Sequence, residues 1–178
     1  DGTGTILLDK VAMSDWLEIH KFGNGYLEWF YDYENLGNGG MIHRYYDENL
    51  TLKKVYCMEM EGMPDDADRI EGVDYILLDG QGCLVDADGE IILNKYSFLS
   101  EYGDGENMTV KTSFYNVTEA EEDQCYAVLY KKAVYLFDGA GRLLRVIDNP
   151  VLVNAFDSAD FYENFCYPKF ISKSCIYN

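Results

Sequence analysis

The sequence predicts an all-β fold of about four tandem antiparallel β-meander repeats in a propeller-like ring, with an open β-repeat array or a sandwich as the alternative. Three observations carry the prediction. A turn hexapeptide recurs along the chain, strand-like apolar and aromatic runs flank its copies, and no segment sustains an i, i+3, i+4, i+7 apolar stripe. At 178 residues the chain is read as one domain, 1–178, with approximate repeats 1–46, 47–85, 86–137 and 138–178.

The hexapeptides DGTGTI, DADGEI and DGAGRL begin at Asp1, Asp86 and Asp138, and DENLTL at Asp47 is a relative with Leu50 in the glycine position. All follow D-x-x-G-x-I/L, in which Asp opens a tight turn and Gly takes the φ > 0 position. Their spacings of 46, 39 and 52 residues match the roughly 40–50 residues of a propeller blade. A further match, DGQGCL at Asp79, falls at the other turn of a meander.

The first repeat, YLEWFYDYENLGNGGMIHRYYDENLTL from Tyr26, reads strand, Gly/Asn loop, strand, turn, strand. From Asp74, DYILLDGQGCLVDADGEIIL reads as three strands, with Asp79 to Gly82 in the first turn. From Cys125, CYAVLYKKAVYLFDGAGRLLRVI has the same order, with Tyr130 to Lys132 in that turn. The closing KFISKSCIYN resembles VLYKKAVYLF, the phase expected if the last strands complete the first repeat. Helix is expected only as short turns, at Ser14 to Lys21 and Ser158 to Cys166; Thr118 to Gln124 has the Thr118/Glu121 spacing of a capping box but is short and reads as part of an acidic loop.

The order Asp86, Gly89, Ile91, Ile92, Tyr96, Tyr102, Gly103, then the strand, Lys-rich turn and strand of Tyr126 to Phe137 leading to Asp138, resembles the WG (KWG-type) repeats of bacterial β-repeat proteins. The Trp-Gly dipeptide that defines that family does not occur in the sequence, since Trp16 precedes Leu17 and Trp29 precedes Phe30. The resemblance implies a binding or interaction module without shared catalytic residues.

Fourteen Lys and Arg face 32 Asp and Glu, a net charge of −18. Residues 1–60 hold ten acids and five bases, residues 61–122 sixteen and three, and residues 123–178 six of each. Phosphate backbones are bound by Lys and Arg, so nucleic acid is a poor ligand for this surface. A basic protein is the partner that the charge favours. Twenty-seven aromatic residues exclude a disordered coil, and no apolar run reaches the ~18–20 residues of a membrane helix.

Cys57, Cys83, Cys125, Cys166 and Cys175 form no CxxC and cannot all pair, which points to buried thiols in a cytoplasmic, reducing setting. N-x-S/T sequons at Asn49, Asn107 and Asn116 leave a secreted setting open. His20 and His43 are the only histidines, without ligand spacing, and LGNGGM at Leu36 reads as a hairpin loop rather than a phosphate cradle. No catalytic residue, metal or cofactor is assigned.

Two binding candidates remain. PDDADRIEGVD places Asp65, Asp66, Asp68 and Glu71 in one loop, but Ile70 interrupts a Ca²⁺ pattern, so the run reads as a solvated acidic surface for a basic partner. In YLEWFYDY, Trp29, Tyr31 and Tyr33 share a strand face with Leu27, a possible stacking line for a glycan or peptide. The expected function is a non-enzymatic acidic binding module that engages or neutralises a basic protein. An extracellular carbohydrate- or surface-binding domain is the alternative.

Overall fold

The computed structural model describes residues 18–32, 40–58, 62–78, 82–103, 111–112 and 116–157, and it is mostly β. The chain divides into two compact units, Asp1–Gly80 with Ala87–Glu90, and Gln81–Asp86 with Ile91–Asn178.

The first unit holds β1 (Glu18–Phe22), β2 (Gly25–Asp32), β3 (Gly40–Tyr46), β4 (Leu52–Cys57) and β5 (Asp74–Leu77), hydrogen-bonded in that order. The first four strands form an antiparallel meander, and β5 runs parallel to β4. Register places His20, Leu27, Trp29, His43, Tyr45, Lys54 and Tyr56 on one face, with Glu28, Ile42, Arg44, Val55 and Cys57 on the other. Ile42, Val55 and Cys57 form a core cluster, against which Leu52, Met63, Val73, Tyr75 and Leu77 pack.

The second unit contains β6 (Cys83–Val85), β7 (Ile91–Leu93), α1 (Lys95–Tyr102), β8 (Lys111–Thr112), β9 (Val117–Glu119), β10 (Cys125–Tyr130), β11 (Ala133–Asp138), β12 (Leu143–Ile147) and α2 (Pro150–Asp157). These strands form a sheet ordered β12-β11-β10-β8 and another ordered β7-β6-β9, in which β6 and β9 are parallel. Phe98 of α1 anchors the core, with the rings of Tyr102, Tyr130, Tyr135 and Phe137 at 5.1, 5.3, 5.1 and 6.1 Å. Leu84, Leu93, Tyr126 and Val128 complete that cluster, so both sheets and α1 share it. On the opposite face of β10 and β11, Ala127, Leu129, Val134 and Leu136 pack with Val153 of α2.

The D-x-x-G-x-I/L hexapeptide builds the same Asp-held turn at Asp47 and Asp138, and the Asp86 copy shares its left-handed fourth position and the irregularity before it. Asp47 Oδ1 accepts the N–H groups of Asn49 and Thr51, each at 2.9 Å, and Asp138 Oδ1 those of Ala140 and Arg142 at 3.0 and 2.9 Å. The fourth position is left-handed every time: Leu50 at φ 59°, Gly89 at 72° and Gly141 at 74°. A strand irregularity also falls immediately before each Asp, at Tyr45/Tyr46, Leu84/Val85 and Leu136/Phe137. A turn with one left-handed residue requires such a bulge to restore pairing beyond it. Leu50 adopts this conformation although its Cβ makes it costly, so the Asp-held backbone sets the turn even without glycine. The Asp1 and Asp79 copies lie outside the described residues.

Several expectations are corrected. The stretch from Asp74 is not one meander, because β5 joins β4 in the first sheet whereas β6 pairs with β7 and β9. Thr118 to Gln124, read as part of an acidic loop, opens as strand, with Thr118 paired to Leu84 in β9, and then turns, Gln124 N–H donating to the Glu121 carbonyl. Within Ser14 to Lys21, the described residues from Glu18 onward are strand. Ser158 to Cys166 lies outside the described residues. Conversely, Tyr96 and Tyr102 sit in a helix that the pattern did not predict. Asn94 and Ser97 cap it reciprocally, Ser97 N–H donating to Asn94 Oδ1 at 2.8 Å and Asn94 N–H to Ser97 Oγ at 2.9 Å.

Between β10 and β11, Lys131 and Lys132 adopt φ values of 45° and 62°, the two left-handed positions of a type I′ hairpin. Side chains with a Cβ are strained there. Lys132→Gly is expected to stabilise the chain by about 0.5–1 kcal/mol, measured as a higher urea midpoint at unchanged slope.

Candidate functional site

The connection between β4 and β5 carries the acidic candidates. Asp66–Asp68 forms a single 3-10 turn, with Asp68 N–H donating to the Asp65 carbonyl at 2.9 Å. Arg69 holds this turn from within the loop. Its Nη1 lies 3.0 Å from Asp66 Oδ1, its Nε donates to the Pro64 carbonyl at 3.3 Å, and its guanidinium stands 5.7 Å from the Tyr75 ring centroid. Tyr75 Oη in turn accepts the Ile70 N–H at 3.2 Å. The loop thus presents Asp65, Asp66, Asp68 and Glu71 to solvent together with the Ile70 side chain, which is 57% exposed.

The aromatic candidates are placed differently. Trp29 lies in β2 opposite His43, half-buried on the face that also buries Leu27 and His43. Tyr31 occupies the β2 position opposite Met41, and Tyr33 lies outside the described residues. In the sheet order, β3 and β4 intervene between the Trp29 strand and β5, so the acidic and aromatic candidates occupy separate elements.

Other polar groups meet through folding rather than through sequence proximity. Glu28, 2% exposed, accepts the Tyr46 hydroxyl at 2.6 Å and lies 3.5 Å from Arg44 Nη1. Removing either partner would strand a buried carboxylate, so this trio reads as structural. Burial and then the Glu28 bond push the Tyr46 phenol above its ordinary range. His20 and His43, 23 residues apart, come to the same sheet face. His43 Nδ1 finds no hydrogen-bond partner among the described residues. Burial, and secondarily the His20 imidazole, pull His43 down to about 4.

On that face the second Asp turn docks. Asn24, in the two-residue turn between β1 and β2, donates its N–H to the Ala87 carbonyl at 2.7 Å and Nδ2 to Asp88 Oδ1 at 2.8 Å. Tyr45 Oη donates to the Ala87 carbonyl at 3.1 Å, and Tyr56 Oη donates to the Gly89 carbonyl. Lys54 Nζ reaches Glu90 Oε1 at 2.7 Å and Asp74 Oδ2 at 3.9 Å, so its buried stem ends in two exposed acids. A Cβ on Gly23 would stand 2.2 Å from the Ala87 carbonyl oxygen, which explains a glycine at that approach.

No family model, curated protein or solved structure matches the chain. Its residues therefore carry the functional argument alone. Burial raises the thiols of Cys57 and Cys83, the latter to about 12, which leaves both weak nucleophiles at neutral pH. Among the described residues, no group of three or more His, Cys, Asp or Glu is poised to hold a metal, and no helix is long and apolar enough to cross a membrane.

The acidic loop and paired aromatics were visible in sequence; the Glu28 trio and the docked turn were not. Their partners are strands apart, and only the recurring Asp turn signalled that residues 86–89 were special.

His43 makes stability depend on pH. The unfolded imidazole titrates at 6.5 and the folded one at about 4, so between those values only the unfolded chain takes the proton. Its contribution is fully retained above pH 6.5, is lost progressively down to pH 4, and totals about 3 kcal/mol. Urea unfolding across this range is expected to show that slope, and His43→Phe to flatten it.

Proposed function

We propose that the chain is a non-enzymatic acidic binding module that engages, and in the sharper form neutralises, a basic protein through the β4–β5 connection. The observation that supports this reading is the solvent presentation of Asp65, Asp66, Asp68 and Glu71 around Ile70, with Arg69 holding the loop. The −18 charge of the chain adds long-range attraction for a cationic partner. Ile70 supplies the apolar contact that charge alone lacks, as acids at a rim set encounter rate and salt dependence more than residence time. The carbohydrate alternative has less support, because Trp29 is half-buried beside Leu27 and His43.

The same reading takes the chain as a WG-like tandem repeat. Three Asp turns that share a left-handed fourth position and a preceding strand irregularity support repetition. The parallel β4–β5 and β6–β9 pairs depart from the antiparallel meander of a propeller blade, so an open array is the better form of this proposal than a ring.

The test is capture from source lysate on immobilised protein with elution along a salt gradient, followed by titration of the recovered partner. A basic protein released by moderate salt is expected, with affinity lowered at least about tenfold when Asp65, Asp66 and Asp68 are all replaced by Lys. Ile70→Ala is expected to speed dissociation while leaving the salt dependence unchanged. Binding indifferent to both salt and charge reversal would sink the proposal.

A further inference from the structure

We propose that Asn24 is a self-modification site, deamidating through Gly25 at a rate gated by the docked turn Ala87–Glu90, and that the product holds the turn off the sheet. This inference is independent of the acidic-loop function.

An Asn followed by Gly is the most reactive pair for this chemistry, since no side chain shields the glycine nitrogen. The Gly25 nitrogen attacks Asn24 Cγ, forming an N–C bond. The Cγ–Nδ2 bond breaks, and Nδ2 departs as ammonia with the amide proton. Water, the sole co-reactant, then opens the succinimide to an aspartate or an isoaspartate. The structure opposes the first step in a specific way. Asn24 is pinned at both ends, by N–H to the Ala87 carbonyl at 2.7 Å and by Nδ2 to Asp88 Oδ1 at 2.8 Å. Swinging Cγ onto the Gly25 nitrogen breaks the Asp88 bond, and Phe22 and Gly25 are themselves paired at the hairpin end. Reaction therefore waits for the turn to lift.

Afterwards the turn no longer fits. The product replaces a donor with a carboxylate facing the Asp88 carboxylate, and like charges at that range repel. An isoaspartate also lengthens the backbone of a two-residue turn whose Gly23 has no room for even a Cβ against Ala87. Tyr45 and Tyr56, 3% and 0% exposed, donate their hydroxyls to the carbonyls of Ala87 and Gly89. Lifting the turn strips both phenols of these acceptors, so one chemical event at an exposed turn is felt within the sheet face.

The test incubates the full chain at mildly alkaline pH beside the free peptide of residues 22–26. Peptide-level mass spectrometry separates Asn24–Gly25 from the second Asn-Gly pair, Asn38–Gly39. Native Asn24 is expected to react at least about tenfold more slowly than the peptide, and Asp88→Ala to accelerate it several-fold. Equal rates in chain and peptide, or no acceleration in Asp88→Ala, overturn the gate; no reaction in either form of the chain overturns the site. Asn24→Asp is expected to raise hydrogen exchange at Ala87–Glu90, and Asp88→Asn added to it to restore protection. Unchanged exchange in Asn24→Asp overturns the latch. Asn24→Gln, with a slowly cyclising side chain, supplies the unreactive reference.

Discussion

A carboxylate that captures two backbone N–H groups at the start of a turn organises this protein. At Asp47 and Asp138 the oxygen satisfies donors that would otherwise point into the mouth of a hairpin, and fixes the left-handed residue that follows. The Thr51 N–H, acting against slight desolvation and with Asn49 and Lys53, keeps the Asp47 carboxyl below its usual range. At Asp138, burial works upward, but the Arg142 and Ala140 donors with the Arg142 guanidinium outweigh it. Each turn sets the register of the hairpin it closes, and hence which side chains enter the core. In the copy beginning at Asp86, the carbonyls of Ala87 and Gly89 accept the hydroxyls of Tyr45 and Tyr56, so turn residues also satisfy buried phenols.

This dependence explains which parts of the fold were legible. Three positions at fixed offsets encode the turn, and even Leu50 did not hide it. Strands β2, β3, β4, β10, β11 and β12 could be read because alternating apolar runs flank those turns. The parallel pairs were not legible, as nothing local in DYIL or VTE says that the partner lies across a connection rather than across a turn. Helix α1 escaped because it buries one residue, Phe98, and one anchor makes no periodic stripe.

The candidate site divides along the same line. Asp65, Asp66, Asp68 and Glu71 are adjacent in sequence and exposed, so composition located them directly. Trp29 was visible as an aromatic but not its half-burial, which depends on neighbouring strands. In sequence Glu28 is one acid among 32, yet it is withdrawn from solvent and matched to Tyr46. Among the described residues most of the surplus charge is at the surface, where it shapes encounter with other molecules, while the buried Glu28 is matched by a hydroxyl and a guanidinium and the buried Asp138 by Arg142.

The parallel pairing of β6 with β9 has a consequence for synthesis on the ribosome. Hairpins such as β10–β11 close over two residues and form as soon as they emerge, within microseconds. Cys83, Leu84 and Val85 can pair with β7 early, but their other edge waits for Val117, Thr118 and Glu119, more than thirty residues later. All three residues of β6 end fully buried. During elongation they form an apolar strand with one open edge, the feature that aggregation exploits and holdase chaperones shield.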